Sequence, residues 1–295
     1  MRLVTFAAPS GPRPGAVVGA AGGDRLLDLT EAIGATSVVG VLADAAALDA
    51  AHAAADAADA GALPRLGDAT LLPPVVPGKI ICLGYNYRGH VPDGIDPTAD
   101  DPDHPDVFVK TPNTLGGPAD PVVVPAAAED VDYEGELAIV IGRRAKEVPL
   151  ESALDHVAGY TILNDVSDRA WQRRQSQWAL GKCFDGFAPI GPWVVTADAV
   201  PDPQDLLVEV VRDGVVTVSQ STSTTIFSAA FVVHYLSQTM TLEPGDIIST
   251  GTPQKLPDAL AAHRPLAPGD SVTVRVSGIG ELTTRFIAPT TGGPA

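Results

Sequence analysis

The segment 132–142, DYEGELAIVIG, constrains the fold of this 295-residue chain more than any other stretch. Side chains on a β-strand alternate between its two faces. Leu137, Ile139 and Ile141 therefore share one face and Ala138 and Val140 the other, so both faces are apolar. Such a strand lies inside a sheet that is covered on both sides. The same alternation places Glu134 and Glu136 together on the Ala138 face, at the mouth of the buried run. Adjacent carboxylates repel each other and lose solvation on burial. A strand that keeps both needs a positive charge between them.

The rest of the chain supplies the layers. From Lys79 onward, strand patterns are predicted at 79–84, 106–110, 121–124, 134–142, 158–164, 190–196, 206–212, 246–250, 271–277 and 281–287. Helical patches fall near 150–156, 167–176 and 227–238. Strands dominate and the βαβ alternation of a dinucleotide-binding fold is missing, so the expected class is α+β and strand-rich. LEPGD (242–246) and LAPGD (266–270) are similar turn phrases, each leading into a strand. Residues 1–70 read as a small N-terminal α/β domain: two strand regions with Gly-rich turns, then an Ala/Asp/Leu helical region. LLPPVVPG (71–78) reads as a linker, and 79–295 as the main domain. The Pro- and Asp-rich segment 91–106 reads as a long loop, either a lid or a solvated insertion.

Charge narrows the function. Asp and Glu number 36 against 19 Lys and Arg, a formal net charge of −17. That balance argues against nucleic acid or an anionic membrane as partner, but not against a small anion in a locally positive pocket. Cys82 and Cys183 lack metal-ligand spacing and read as buried free thiols of a reducing, cytoplasmic compartment. No signal peptide is expected in MRLVTFAAPSGPRPG. The Ala-rich stretch 43–62 is too interrupted by Asp44, Asp49, His52, Asp56 and Asp59 to span a bilayer.

A hard divalent cation takes oxygen ligands, and Glu134 and Glu136 offer two. Asp165, in GYTILNDVSDRAWQ at the end of an apolar strand, is the best third candidate. A helix cap or turn remains the alternative for Asp165, and a salt-bridged strand end the alternative for the glutamates. No His or Cys cluster suggests zinc instead.

KIICLGYNYRGH, DYEGELAIVIG, GYTILNDVSDRAWQ, GKCFDGFAPIGPW and LEPGDIISTGTP resemble, in order and spacing, the fumarylacetoacetate hydrolase family over roughly 79–287. The resemblance implies a mixed β-sandwich roll with few helices, a homodimer, and a bound Mg²⁺ or Mn²⁺ that serves chemistry on small anionic 2-oxo or enolic acids. It places the metal ligands on Glu134, Glu136 and Asp165, and an anion-holding lysine beside them on Lys182. Gln172 matches a glutamine that contacts the oxo acid, and Thr252 a position whose backbone and hydroxyl receive its carboxylate. Arg169 matches a charged position near the site, with a structural salt bridge as the alternative. Tyr85 stands where many members carry Leu or Arg, a departure that would line the substrate tail or simply pack.

His90 matches a histidine that, in the acylpyruvate hydrolases of the family, forms a water-activating dyad with a Glu three residues on; here that residue is Asp93. A further departure is GTPQKLPDAL, where the family usually continues GTPxG, which reshapes the rim near Gln254 and Lys255. The first reading implied is metal-dependent hydrolysis of a C–C bond in a 2,4-dioxo acid through a stabilised enolate. Tautomerisation, isomerisation or decarboxylation of 2-oxo acids such as oxaloacetate are the alternatives. A non-catalytic oxo-acid-binding relative is the reading from another class.

Overall fold

A computed structural model describes residues 1–91, 96 and 101–289. Three strands open the chain: β1 (Arg2–Ala8), β2 (Gly11–Val18) and β3 (Arg25–Asp28). They are followed by β4 (Ile80–Gly84), β5 (Asp106–Lys110), β6 (Gly135–Ile141), β7 (Val157–Asn164) and β8 (Ala188–Thr196). A hairpin of β9 (Leu207–Arg212) and β10 (Val215–Ser221) precedes β11 (Ile247–Ser249), β12 (Ser271–Val276) and β13 (Gly280–Ile287).

The main sheet runs β3–β2–β1–β8–β7–β6–β11–β4–β5, with β6 in its interior as its two apolar faces require. A second sheet runs β10–β9–β12–β13 and ends on Val122–Val123. Leu137, Ile139 and Ile141 pack in one cluster with Val208, Val210, Val272 and Val274 of the second sheet. Val232, Val233 and Leu236 of the helix Ala229–Thr239 belong to the same cluster. Ala138 and Val140 face the other way, into a cluster with Leu29, Val38, Val41 and Leu42 from the N-terminal helices. The architecture is a mixed, strand-rich α+β sandwich. Among the described residues no helix is long and apolar enough to cross a membrane.

The N-terminal strands continue the main sheet. β1 pairs antiparallel with β8 at Arg2↔Val195 and Leu3↔Val194, and Leu71–Leu72 pairs back onto β1. Residues 1–28 and 71–72 thus share one hydrogen-bonded sheet with the main domain. The two similar turn phrases form the same turn: Asp246 and Asp270 each accept the N–H three residues upstream, from Glu243 at 2.7 Å and Ala267 at 2.9 Å.

Some local expectations change. β10 adds a strand to the predicted set; the β9–β10 turn is Asp213–Gly214, with φ of 53° and 79°. The helical patch at 167–176 shortens to Arg169–Gln172 because Ser167–Asp168 pairs with Val131–Asp132 first. Cys82 is buried as expected, whereas Cys183 is half-buried; both are free thiols.

Candidate active site

The sheet register builds the centre of the site. β6 and β7 are antiparallel with Gly135 opposite Asn164, and the Asp165 N–H donates to the Glu134 carbonyl at 2.8 Å. This brings Asp165 to the mouth of β6, beside the two glutamates. Gly135 lets the two sheets close at this point, since a Cβ there would lie 2.6 Å from Val210 Cγ2 and 2.8 Å from Val274 Cγ1. The three buried carboxylates each offer an oxygen, all within 4.8 Å of one another. A second close approach delivers Lys182: a Cβ on Gly181 would lie 2.5 Å from the Gln172 nitrogen, so only glycine lets these two short helices touch.

A chain of alternating charge runs through this centre. Lys255 Nζ meets Asp132 Oδ1 at 2.5 Å, and Asp132 Oδ2 meets Arg169 Nη2 at 3.0 Å. Arg169 Nη1 meets Glu134 Oε1 at 2.6 Å, and Glu134 Oε2 meets Lys182 Nζ at 2.5 Å. Lys182 Nζ also meets Asp165 Oδ2 at 2.6 Å, and Asp165 Oδ1 meets Lys110 Nζ at 2.5 Å. Glu136 stands outside the chain: its Oε2 accepts from the Ser249 hydroxyl at 2.5 Å and the Gly251 N–H at 2.8 Å.

The electrostatics follow from this wiring. Burial opposes the charge on Glu134, but Arg169 and Lys182 outweigh it and hold its carboxyl well below the usual range. Glu136 is driven the opposite way, first by burial and then by Asp165 and Glu134, with only neutral donors and a more distant Lys182 working against the rise. Lys182 loses solvation on burial but is held above its ordinary value by Asp165 and Glu134. A buried, all-oxygen donor set with one carboxylate destabilised by its neighbours matches a hard divalent cation such as Mg²⁺ or Mn²⁺.

A cavity of about 680 Å³ opens over this centre. Tyr85, His90, Glu134, Glu136, Arg169, Gln172, Lys182 and Thr252 all line it, and Asp165 lies buried behind, on Lys182. Asn86 anchors the 85–90 turn by donating to the Thr250 and Phe227 carbonyls at 2.8 and 3.1 Å and accepting from the Phe227 N–H at 2.8 Å. Tyr85 takes φ 50° there and meets His90 edge-on at 5.4 Å and Trp178 at 5.8 Å. The Gln172 side-chain oxygen accepts from Arg169 Nη1 at 3.0 Å.

Two expectations meet different surroundings. The Thr252 hydroxyl, expected to receive a substrate carboxylate, donates to the Gly135 carbonyl at 3.0 Å. The Thr252 carbonyl holds His90 Nδ1 at 2.8 Å. A carbonyl only accepts, so Nδ1 carries the proton and Nε2 the lone pair. Asp93, the expected partner of His90, lies outside the described residues. Burial is the main cause that lowers His90 below the ordinary histidine value, which keeps the ring neutral at pH 7.

Lys110 and Asp132 were not anticipated as site residues. Asp132 stood in plain view, two residues before Glu134. Lys110 ends β5 and carries no local mark of its role, which is to donate to Asp165 and to the Val166 carbonyl at 3.0 Å.

Comparison with known proteins identifies the family. The family profile described as fumarylacetoacetate (FAA) hydrolase C-terminal matches residues 79–287. The human mitochondrial oxaloacetate tautomerase FAHD2A is 37% identical over 97% of this chain and 92% of its own length. The 5-carboxymethyl-2-hydroxymuconate delta-isomerase of Mycobacterium smegmatis superposes with a TM-score of 0.78 at 33% identity, covering 99% of this chain and 100% of its own. Maleylpyruvate hydrolase from Sphingobium sp. SYK-6 gives 0.79 at 31% identity, covering 98% and 100%. The chain belongs to the fumarylacetoacetate hydrolase family.

Proposed function

We propose that the protein is a divalent-metal-dependent enzyme that moves a proton between C3 and the 2-oxo oxygen of a small 2-oxo acid, a keto–enol tautomerase. The observation that carries this reading is His90: a neutral imidazole, fixed through Nδ1–H on the Thr252 carbonyl, lines the same cavity as the carboxylate triad and Lys182. Glu134, Glu136 and Asp165 would hold Mg²⁺ or Mn²⁺, which supplies electrophilic stabilisation of negative charge on the substrate's 2-oxo oxygen.

The chain's own residues do the rest. Lys182 contributes a fixed positive charge beside the ligands, in a position that costs no reorganisation as enolate charge develops. His90 Nε2 takes the C3 proton and returns it to the enol oxygen; its tautomer is set in advance by Thr252. Arg169 and Gln172 brace each other on the wall and orient the substrate. The similarity to an oxaloacetate tautomerase along nearly the whole chain supports this reading. Hydrolysis of a 2,4-dioxo acid is the second reading. The same neutral His90 is suited to take a proton from water, and the likeness to maleylpyruvate hydrolase supports it. A 2-oxo acid partner and a homodimeric assembly belong to the same proposal.

Proton NMR with oxaloacetate and, separately, acetylpyruvate tests it, with a chelator-treated control. Metal-dependent acceleration of oxaloacetate keto–enol exchange without cleavage is expected, whereas pyruvate and acetate from acetylpyruvate would select the hydrolase. The base must be neutral to act, so kcat/KM rises with pH through the lowered His90 value, below about 6.5, and is flat above it. His90→Gln reduces turnover roughly 10²-fold and removes that acid limb. An acid limb unchanged in His90→Gln assigns the base elsewhere.

A further inference from the structure

We propose that Lys255 is a specificity residue, a cation braced by Asp132 to receive the second carboxylate of a dianionic 2-oxo acid. The proposal rests on the reading that the carboxylate triad takes the 2-oxo acid end of the substrate.

Lys255 stands where the chain leaves the GTP phrase, on the cavity wall with its side chain 12% exposed. An ammonium has three N–H donors. Among the described residues its hydrogen-bond partner is Asp132 Oδ1, and its Nζ lies 4.4 Å from the centre of the Tyr133 ring. Donors remain for a ligand in the cavity.

Asp132 has a second cation besides Lys255. Arg169 already donates to Asp132 Oδ2 through Nε at 3.2 Å and Nη2 at 3.0 Å. Arg169 is shared with Glu134, whose Oε1 it meets at 2.6 Å, whereas Lys255 has Asp132 as its ion-pair partner and turns its remaining N–H donors to the cavity. The two lysines of the site differ in their partners: Lys182 meets two carboxylates, Glu134 and Asp165, and Lys255 meets Asp132.

The distribution of charge points to a dianion. Lys255, Arg169, Lys182 and Lys110 match Asp132, Glu134, Glu136 and Asp165 charge for charge when all the carboxylates are ionised. A divalent cation at the triad would then leave the site two positive charges, with the metal at one end of the cavity and Lys255 at the other. Asp130 and Arg173, the other full charges on the wall, are opposite in sign. Each end of the cavity then complements one carboxylate. A monoanionic 2-oxo acid leaves the Lys255 end uncompensated.

Calorimetric titration of the Mg²⁺-loaded protein with non-reacting probes tests this without turnover. Oxalate reports the triad end alone, and N-oxalylglycine and its glycinamide differ only in the distal charge. The dianion should bind about tenfold or more tightly than the amide, as expected for a charged hydrogen bond at the distal carboxylate. Lys255→Met should erase that preference and leave oxalate and the amide within about twofold of wild type, while Lys255→Arg keeps it. Oxalate binding with no dianion preference, or a preference that survives in Lys255→Met, overturns the role of Lys255. Failure of oxalate to bind in Mg²⁺ overturns the underlying reading of the triad, and the proposal with it.

Discussion

Among the described residues, two clusters of alternating charge make an instructive pair: one lies on the second sheet and the other lines the cavity. On the second sheet, Arg212 Nη2 meets Asp270 at 2.9 Å, Arg264 Nη1 meets the same carboxylate at 2.7 Å, and Arg264 Nη2 meets Asp213 at 2.6 Å. Arg212 adds bonds to the carbonyls of Arg264 and Pro265 at 2.8 and 3.2 Å, while Arg264 and Asp213 are half exposed. Both carboxylates there touch a cation, and water screens the outer pair. In the cluster at the cavity every member is largely buried, and among the described residues no cation forms an ion pair with Glu136. Alternation of sign is therefore no mark of function. A buried carboxylate without its counter-charge is.

The sharpest way to break the contrast is Glu136→Gln. Burial and the two neighbouring carboxylates make an ionised Glu136 unfavourable without a metal, so the isosteric amide removes a repulsion. In chelator, Glu136→Gln should melt no lower than wild type. With Mg²⁺ or Mn²⁺ the wild type should gain melting temperature by mass action and the variant should not. Turnover should fall on the order of 10³-fold through lost stabilisation of the developing charge. An equal metal-induced rise in melting temperature for both proteins would remove Glu136 from the ligand set.

Lys182→Met tests the opposite member of the cluster. Lys182 lies between Glu134 and Asp165 at 2.5 and 2.6 Å, and its removal leaves three buried carboxylates, Glu134, Glu136 and Asp165, to Lys110 and to an Arg169 that Asp132 shares. In chelator-treated protein the expected loss is about 3–5 kcal/mol, read from urea denaturation. A loss below about 1 kcal/mol would mean that Lys182 behaves like a surface ion-pair member.

The two clusters also differ in how far the sequence announces them. The β6 faces and the Glu134–Glu136 pair follow from the period of two, and Asp165 from its place at the end of an apolar strand. Asp132 shares the spacing of the glutamates, yet its partners Arg169 and Lys255 come from far along the chain and leave no local signal. Lys110 reaches Asp165 across 55 residues of sequence. The Thr252 carbonyl that orients His90 is backbone, and any residue type supplies one. The pairing of β1 with β8 is equally long-range, so the N-terminal strands read as a separate unit although they extend the main sheet. The β9–β10 hairpin is a different case: Asp213–Gly214 between apolar runs is a strong local turn signal, so this strand is legible in the sequence.

Arg264→Met carries the smallest effect and controls for the others. Arg264 bridges Asp270 and Asp213 from the surface, with half its side chain in water. Removing it does not strand the Asp270 carboxylate, which keeps the buried Arg212 at 2.9 Å and the Ala267 N–H at 2.9 Å. The denaturation midpoint should therefore stay within replicate scatter, with or without metal and at low or high salt, and turnover should be unchanged. A destabilisation comparable to that of Lys182→Met would show that the surface cluster is as tightly coupled as the buried one. The distinction between them would then rest on the unpaired Glu136 alone, not on burial of the whole chain of charges.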